Sequence, residues 1–307
     1  MNTPKPRIIG ELMNNSYARA RKAWQDRNLD GYRFLARLQT ELGATFVTLN
    51  LDATQQLSVT LAQMLEFLPK VIPAIQDATA LPLSFDNPDL AFHVEAMKHF
   101  DPAKANGRPI LNSLSVTRHD IDGMIELAGT HDMNVIIMAS ECMRPDGSYG
   151  AAETPADIVR TTRYFADRLD ERAGITNDRI IVDPGLPPIA SDTHGGVNLC
   201  LDAIRALRAE PTLGGIHISI GLSNFANGAP KHLRVPLERA FLRIAMKAGL
   251  DFALANPEKN TDPMRPFDPL VVVLERILDE GRPQPGEGAE DAGFRQLDAL
   301  MELWSSM

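Results

Sequence analysis

The 307-residue chain has only two cysteines, Cys142 and Cys200. Two thiols at that spacing exclude a disulfide-stapled scaffold and a paired-cysteine zinc site, so both are read as free. A surplus of positive charge is also missing: 31 Lys and Arg stand against 40 Asp and Glu, giving a net charge of −9 and a pI near 5.3. That balance argues against nucleic acid as a partner. No stretch reaches the about 18 uninterrupted apolar residues of a membrane span. The polar start, Met1–Arg7, lacks the apolar core of a signal peptide, so a cytoplasmic location is expected and no membrane contact. The seven histidines show neither H-x-H nor H-E-x-x-H spacing, which gives a metal-dependent hydrolase little support, and no protein-bound metal is expected. The first apolar run is followed by Glu11–Leu12–Met13–Asn14 and not by the glycine-rich fingerprint of a dinucleotide fold.

What the chain does have is alternation. With 44% hydrophobic and 23% charged residues it can build a large core. Val- and Ile-rich runs at 7–10, 45–50, 81–86, 109–113, 134–139, 179–183, 215–221 and 251–255 read as strands. Helical patterns fall near 30–43, 58–77, 89–100, 118–129, 155–173, 195–208, 235–248 and 269–280, with Ser58, Thr117 and Thr154 as plausible caps. Eight strands each followed by a helix predict an α/β fold, a (β/α)8 TIM barrel over residues 1–281. The Pro- and Gly-rich stretch from Arg282 to Gly288 reads as a linker. Beyond it Phe294, Leu297, Leu300, Met301 and Trp304 form one apolar stripe, so residues 282–307 are expected to be a helical extension that packs back on the barrel or closes a dimer.

Several apolar runs stop at a side chain able to hold a directed hydrogen bond: Leu83–Ser84–Phe85–Asp86, Pro109–Ile110–Leu111–Asn112, Ile180–Ile181–Val182–Asp183, and the longer Ile218–Ser219–Ile220–Gly221–Leu222–Ser223–Asn224. In a closed barrel such endings converge at the C-terminal mouth. Two carboxylates and an amide there can read a heterocycle with adjacent N–H donors and a ring acceptor, such as a pterin. The plainer alternative is local: Asp86 before Asn87–Pro88, and Asp183 before Pro184, are also good turn formers. Taken singly each favours the turn; as a recurring set they favour a ligand site.

These residues carry a family resemblance. Ile8–Ile9–Gly10–Glu11 with Asn14, Leu49–Asn50, Ser84–Phe85–Asp86, Leu111–Asn112–Ser113, Val182–Asp183–Pro184 and Gly221–Leu222–Ser223–Asn224 occur in order. The chain thereby resembles the pterin-binding (β/α)8 family, and within it the methyltetrahydrofolate:corrinoid methyltransferases. The resemblance implies that Asp86, Asn112 and Asp183 hold the pterin ring and that Asn224 approaches ring nitrogen N5. Asn14, Asn50 and Ser223 match further polar positions at the mouth. It implies tetrahydrofolate or methyltetrahydrofolate as substrate, a corrinoid (cobalamin) carried by a separate corrinoid protein, and a homodimer. Where the family often has Arg after Gly-Glu, this chain has Leu12. Dihydropteroate synthase shares the clasp but places a Ser-Arg-Lys-type motif where Leu222–Ser223–Asn224 stands here; that enzyme, or a catalytically silent folate binder, is the alternative.

Other features read more plainly. Met143–Ser148 is a mobile lid or an ordinary turn, and Arg19, Arg21, Lys22 and Arg27 form a solvated helix face or a weak anion-attracting patch. His217 reads as a satisfied core residue, and His194 as a weak candidate for substrate contact.

Overall fold

Strand burial is the first thing the computed structural model makes plain; it describes residues 5–144 and 146–306. The strands are β1 (Arg7–Asn14), β2 (Phe46–Asn50), β3 (Leu83–Asp86), β4 (Ile110–Leu114), β5 (Asn134–Met138), β6 (Glu141–Met143), β7 (Tyr149–Ala151), β8 (Ile180–Asp183), β9 (His217–Ile218) and β10 (Phe252–Ala255). Eight of them are parallel, in the order β10-β1-β2-β3-β4-β5-β8-β9. Leu254 N donates to Ile220 O at 2.9 Å and Asp251 N to Ile218 O at 3.4 Å, so the two ends of the sheet meet. The result is a nearly closed (β/α)8 barrel.

The helices are α1 (Ala18–Gln25), α2 (Leu29–Glu41), α3 (Leu61–Gln76), α4 (Leu90–His99), α5 (Ile121–Thr130), α6 (Pro155–Ala173), α7 (Gly196–Ala209), α8 (Leu222–Phe225), α9 (Lys231–Ala248), α10 (Pro269–Glu280) and α11 (Ala289–Ser306). Thr154 caps α6 in a capping box with Asp157, and Pro155 opens it.

Because successive strand residues point to opposite faces, the barrel has two cores. One lies between sheet and helices and includes Val47, Leu49, Phe85, Leu111, Val135 and Val182. The other fills the barrel interior: Ile9, Phe46, Ile110, Ile136, Ile181 and Phe252, with Leu254 against them. Two or four residues further along the same strands the inward positions turn polar: Glu11 after Ile9, Thr48 and then Asn50 after Phe46, Asn112 after Ile110, Asp183 after Ile181. The interior therefore runs from an apolar floor to a polar mouth.

Several boundaries differ from the sequence expectation. β1 continues four residues beyond Gly10 through a register shift between Gly10 and Met13. Gln39 of α2 makes this possible, since its Oε1 accepts from Leu12 N at 2.8 Å, and a Cβ on residue 10 would lie 2.5 Å from that oxygen. The strand expected over 215–221 shrinks to His217–Ile218, and the chain turns into the short α8 after Gly221. The helix expected from Thr117 begins after Asp120, whose Oδ1 accepts from Gly123 N at 2.9 Å. The Thr117 hydroxyl instead faces the β6 strand and donates to Glu141 at 2.8 Å. Likewise Thr60, in a capping box with Gln63, opens α3 in place of Ser58. Helix α1 and the antiparallel β6–β7 hairpin, which occupies the Met143–Ser148 region, were not expected.

The last helix returns to the barrel. Leu300 is buried, while Phe294 and Met301 stay about half exposed, 51% and 55%. Arg295 fastens the preceding linker by donating to the carbonyls of Glu280 at 2.9 Å and Arg282 at 3.0 Å. No helix among the described residues is long and apolar enough to cross a membrane.

Candidate active site

Asn14, Asn50, Asp86, Asn112 and Asp183 sit on strands of one sheet, whereas Ser223 and Asn224 lie on the short α8. Asn14 and Asn50 are register partners across β1 and β2, as are Asp86 and Asn112 across β3 and β4, and Met138 and Asp183 across β5 and β8. Met138 is the one apolar member of this arc. A layer below, Thr48 and Ser84 pair across β2 and β3, and both hydroxyls are buried without a hydrogen-bond partner.

Electrostatics mark the same arc. Burial pushes the Asp86 carboxyl up to about 6, against the opposing pull of the Asn50 amide and with added repulsion from Asp52. The Arg118 guanidinium, which donates to Ser113 O at 3.0 Å and Ser113 Oγ at 3.3 Å, favours its ionised form. Asp183 is likewise raised to about 6 by burial, moderated by the Gly185 N–H that donates to its Oδ1 at 2.8 Å. Two acids that titrate this high, beside an amide that can both donate and accept, suit a ligand that presents N–H groups.

The turn-forming alternative is resolved differently at the two aspartates. At β3 the cap of α4 is Asp89, whose Oδ1 accepts from Ala91 N at 2.8 Å, and Asn87 supports it by accepting from Asp89 N at 2.9 Å. Asp86 is thus relieved of any capping task. Asp183 does close a local turn with one oxygen, to Gly185 N.

Other candidates are more committed. Asn14 Oδ1 accepts from Ser16 N at 2.8 Å, which fixes the turn after β1. Asn50 donates to Asp52 Oδ2 at 3.2 Å and accepts from Asp52 N at 3.1 Å. Asn87 also donates to Asp52, at 2.6 Å, so Asp52 gathers two amides at the mouth. Asn224 is solvent-exposed on α8, and its backbone N donates to Gly221 O at 3.1 Å. It belongs to a helical turn beyond β9 and not to a strand tip.

Residues that sequence reasoning gave no role complete the picture. Glu11, 7% exposed, accepts hydroxyl hydrogen bonds from Ser223 and Tyr17, and burial raises its carboxyl above the usual range. Its charge bears on Asp86 and on Glu238. Glu238 of α9 is raised to about 7 by burial, although Asn260 donates to it at 2.8 Å. The signal for Glu11 was present: continued alternation beyond Gly10 puts it on the same face as Ile9. Glu238 had none, because a lone Glu on a helix looks like solvated surface.

Outside the mouth, His217 Nδ1 is 2.6 Å from Asp251 Oδ2 and its ring lies 4.9 Å from that of Phe252, at the floor. His194 Nδ1 pairs with Thr193 Oγ1 at 2.8 Å. Arg19 pairs with Glu258, Lys22 with Asp26, and Arg27 stacks over Trp24 at 3.9 Å. Among the described residues no three His, Cys, Asp or Glu side chains are grouped to hold a metal ion.

Fold and site together define an α/β-barrel protein with polar and acidic side chains around one end of the barrel. Residues 13–256 match the pterin binding enzyme family, and the chain belongs to it. It is 26% identical over 253 residues to a methylcorrinoid:tetrahydrofolate methyltransferase of Eubacterium limosum, covering 81% of this chain and 84% of that one. Similar solved structures include Yersinia pestis dihydropteroate synthase with a pterine-sulfa conjugate, at TM-score 0.58 and 20% identity, covering 81% of this chain and 87% of that one. Another is the dihydropteroate synthase of Thermus thermophilus, at TM-score 0.58 and 18% identity, with 82% and 88% covered. At these identities the two structures speak for the barrel alone.

Proposed function

We propose that this protein transfers a methyl group between tetrahydrofolate N5 and the cobalt of a corrinoid held on a separate protein, in the direction of tetrahydrofolate methylation. The observation that carries the reading is the arc of Asp86, Asn112 and Asp183 on β3, β4 and β8, one side of the same sheet, together with an exposed, neutral Asn224 on α8. The name of the Eubacterium limosum relative supports the same chemistry. Asp86 and Asp183, ionised above about pH 6, accept from the pterin N–H edge while Asn112 supplies the mixed donor and acceptor.

In-line displacement asks the protein for orientation more than for a nucleophile, and fixing orientation lowers a barrier by several kcal/mol, on the order of 7 or more in favourable cases. The N5 lone pair forms the new bond to the methyl carbon, the cobalt–carbon bond breaks with its electron pair staying on cobalt, and the N5 proton leaves to solvent. Asn224 remains neutral throughout and orients N5 by a hydrogen bond, and its exposure leaves room for a bulky donor.

A synthase reading asks for cations to neutralise a diphosphate leaving group. Lys231, His232 and Arg234 stand in the first turn of α9, and Arg234 Nε is tied to Ala229 O at 3.0 Å. The deciding experiment mixes the protein with methylcobalamin and tetrahydrofolate and follows the cobalt spectrum. Methyl loss from cobalt with formation of methyltetrahydrofolate is expected. An unchanged spectrum with free and protein-bound corrinoids, alongside intact pterin binding, overturns the proposal.

A further inference from the structure

We infer that Glu11 is a positioning residue for Asn224, acting through the hydroxyl of Ser223; the inference rests on the methyl-transfer reading for its catalytic consequence. Glu11 stands on β1 and Ser223 on the turn after β9, 212 positions apart in sequence. The hydrogen bond between them therefore ties the residue next to Asn224 to the opposite side of the β10 seam. Tyr17 donates to the same Glu11 oxygen, Oε1, which fixes that oxygen from a second direction. A buried carboxyl that receives two hydroxyls at one oxygen is an anchor with little rotamer freedom.

The amide itself lies close to Gly221. A Cβ built on Gly221 would lie 3.0 Å from Asn224 Nδ2. Gly221 has φ −76°, which any residue adopts, so an alanine there acts only by displacing the Asn224 amide by a few tenths of an ångström. The Asn224 amide is thus folded back over a bare stretch of main chain, while Ser223 pins the turn from the side. Short α8, with four residues, has too few internal hydrogen bonds to hold this geometry alone.

Glu11 does not touch the reacting atoms in this arrangement; it acts at one remove. The test compares Glu11→Ala, Glu11→Gln and Ser223→Ala for single-turnover methyl transfer and for tetrahydrofolate dissociation constant. Loss of the anchor in Glu11→Ala or Ser223→Ala is expected to slow transfer about tenfold with affinity changed by less than about threefold. Glu11→Gln is expected to recover most of the rate, because an amide oxygen can still accept from both hydroxyls. Gly221→Ala, which leaves the Glu11 cluster intact, is expected to slow transfer in the same way. A rate in Ser223→Ala equal to wild type, or Glu11→Gln as slow as Glu11→Ala with affinity falling in parallel, overturns the inference.

A readout independent of methyl transfer is the pair of Asn224 side-chain amide resonances, assigned by their loss in Asn224→Ala. In the folded Glu11→Ala protein they are expected to converge towards motionally averaged shifts. If they remain as in wild type, the anchor does not exist, whatever the protein catalyses. If they converge while the wild-type protein moves no methyl group, the anchor stands and the functional reading fails.

Discussion

The floor and the mouth of this barrel are made by the same strands, two or four residues apart, and they obey opposite rules. At the floor, Ile9, Phe46, Ile110, Ile136, Ile181 and Phe252 close on one another with at most 5% exposure. Arg7 and His217 cover them, Arg7 lying 4.5 Å above the Phe252 ring. At the mouth, Asp86, Asp183, Glu11 and Glu238 are acids raised by burial, and the Thr48 and Ser84 hydroxyls lack partners. Apolar contact holds the floor together, whereas the mouth keeps buried polar and ionisable groups in place at a cost in desolvation.

Substitutions can break that contrast, beginning with the largest effect. Phe252→Ala at the floor is expected to cost about 3–5 kcal/mol in equilibrium urea unfolding, while the protein that remains folded binds tetrahydrofolate as before. A loss confined to ligand binding would dissolve the contrast. At the mouth, Asn224→Ala is expected to slow methyl transfer about a hundredfold, the effect of removing one oriented amide at a reacting centre, with stability unaltered and the folate dissociation constant within a few-fold. Equal losses in rate and affinity would make Asn224 a binding residue only.

Asp183→Asn sharpens the comparison because its two effects have opposite signs. Folate binding is expected to weaken about tenfold or more, the scale of a lost charge-assisted hydrogen bond. The ligand-free protein is expected to gain about 1 kcal/mol near pH 7.5, because a buried carboxylate has been removed. An aspartate titrates near 4 when unfolded and this one at about 6 when folded, so its protonated form lends stability below about 4 that is lost as the pH rises to about 6. The gain in Asp183→Asn should therefore shrink as pH falls from 6 towards 4, measured by urea midpoints across that range. The smallest effect concerns wild-type binding: folate affinity is expected to rise as the pH passes upward through about 6, by calorimetry, since Asp86 and Asp183 then become acceptors. An affinity that is flat between pH 5 and 7.5 would remove both carboxyls from the clasp.

Much of this arrangement was legible without coordinates. The apolar runs ending in Asp86, Asn112 and Asp183 are strand signals, and the structure puts those residues on β3, β4 and β8, with Met138 of β5 between the last two, although β4 runs on two residues past Asn112 to Leu114. The stripe of Phe294, Leu297, Leu300, Met301 and Trp304 likewise predicted a helix, and of these Leu300 is fully buried while Phe294 and Met301 stay exposed. What escaped were features that arise only when distant segments meet. The hairpin at Glu141–Ala151 was unreadable because Ser115 and Thr117, on another loop, bond to its first residue. Asn224 looked like a strand tip because nothing local announces that the chain turns helical after Gly221.

By itself the sequence determined the alternation of strand and helix, the inward face of each strand and the chemistry at its end, since these depend on side-chain period and residue type. Only the tertiary structure decided which ends become neighbours, that Asp89 and not Asp86 caps α4, and that Glu11 meets Ser223. Barrel closure sets those distances, and closure is a property of the whole sheet, which no local stretch of chain encodes.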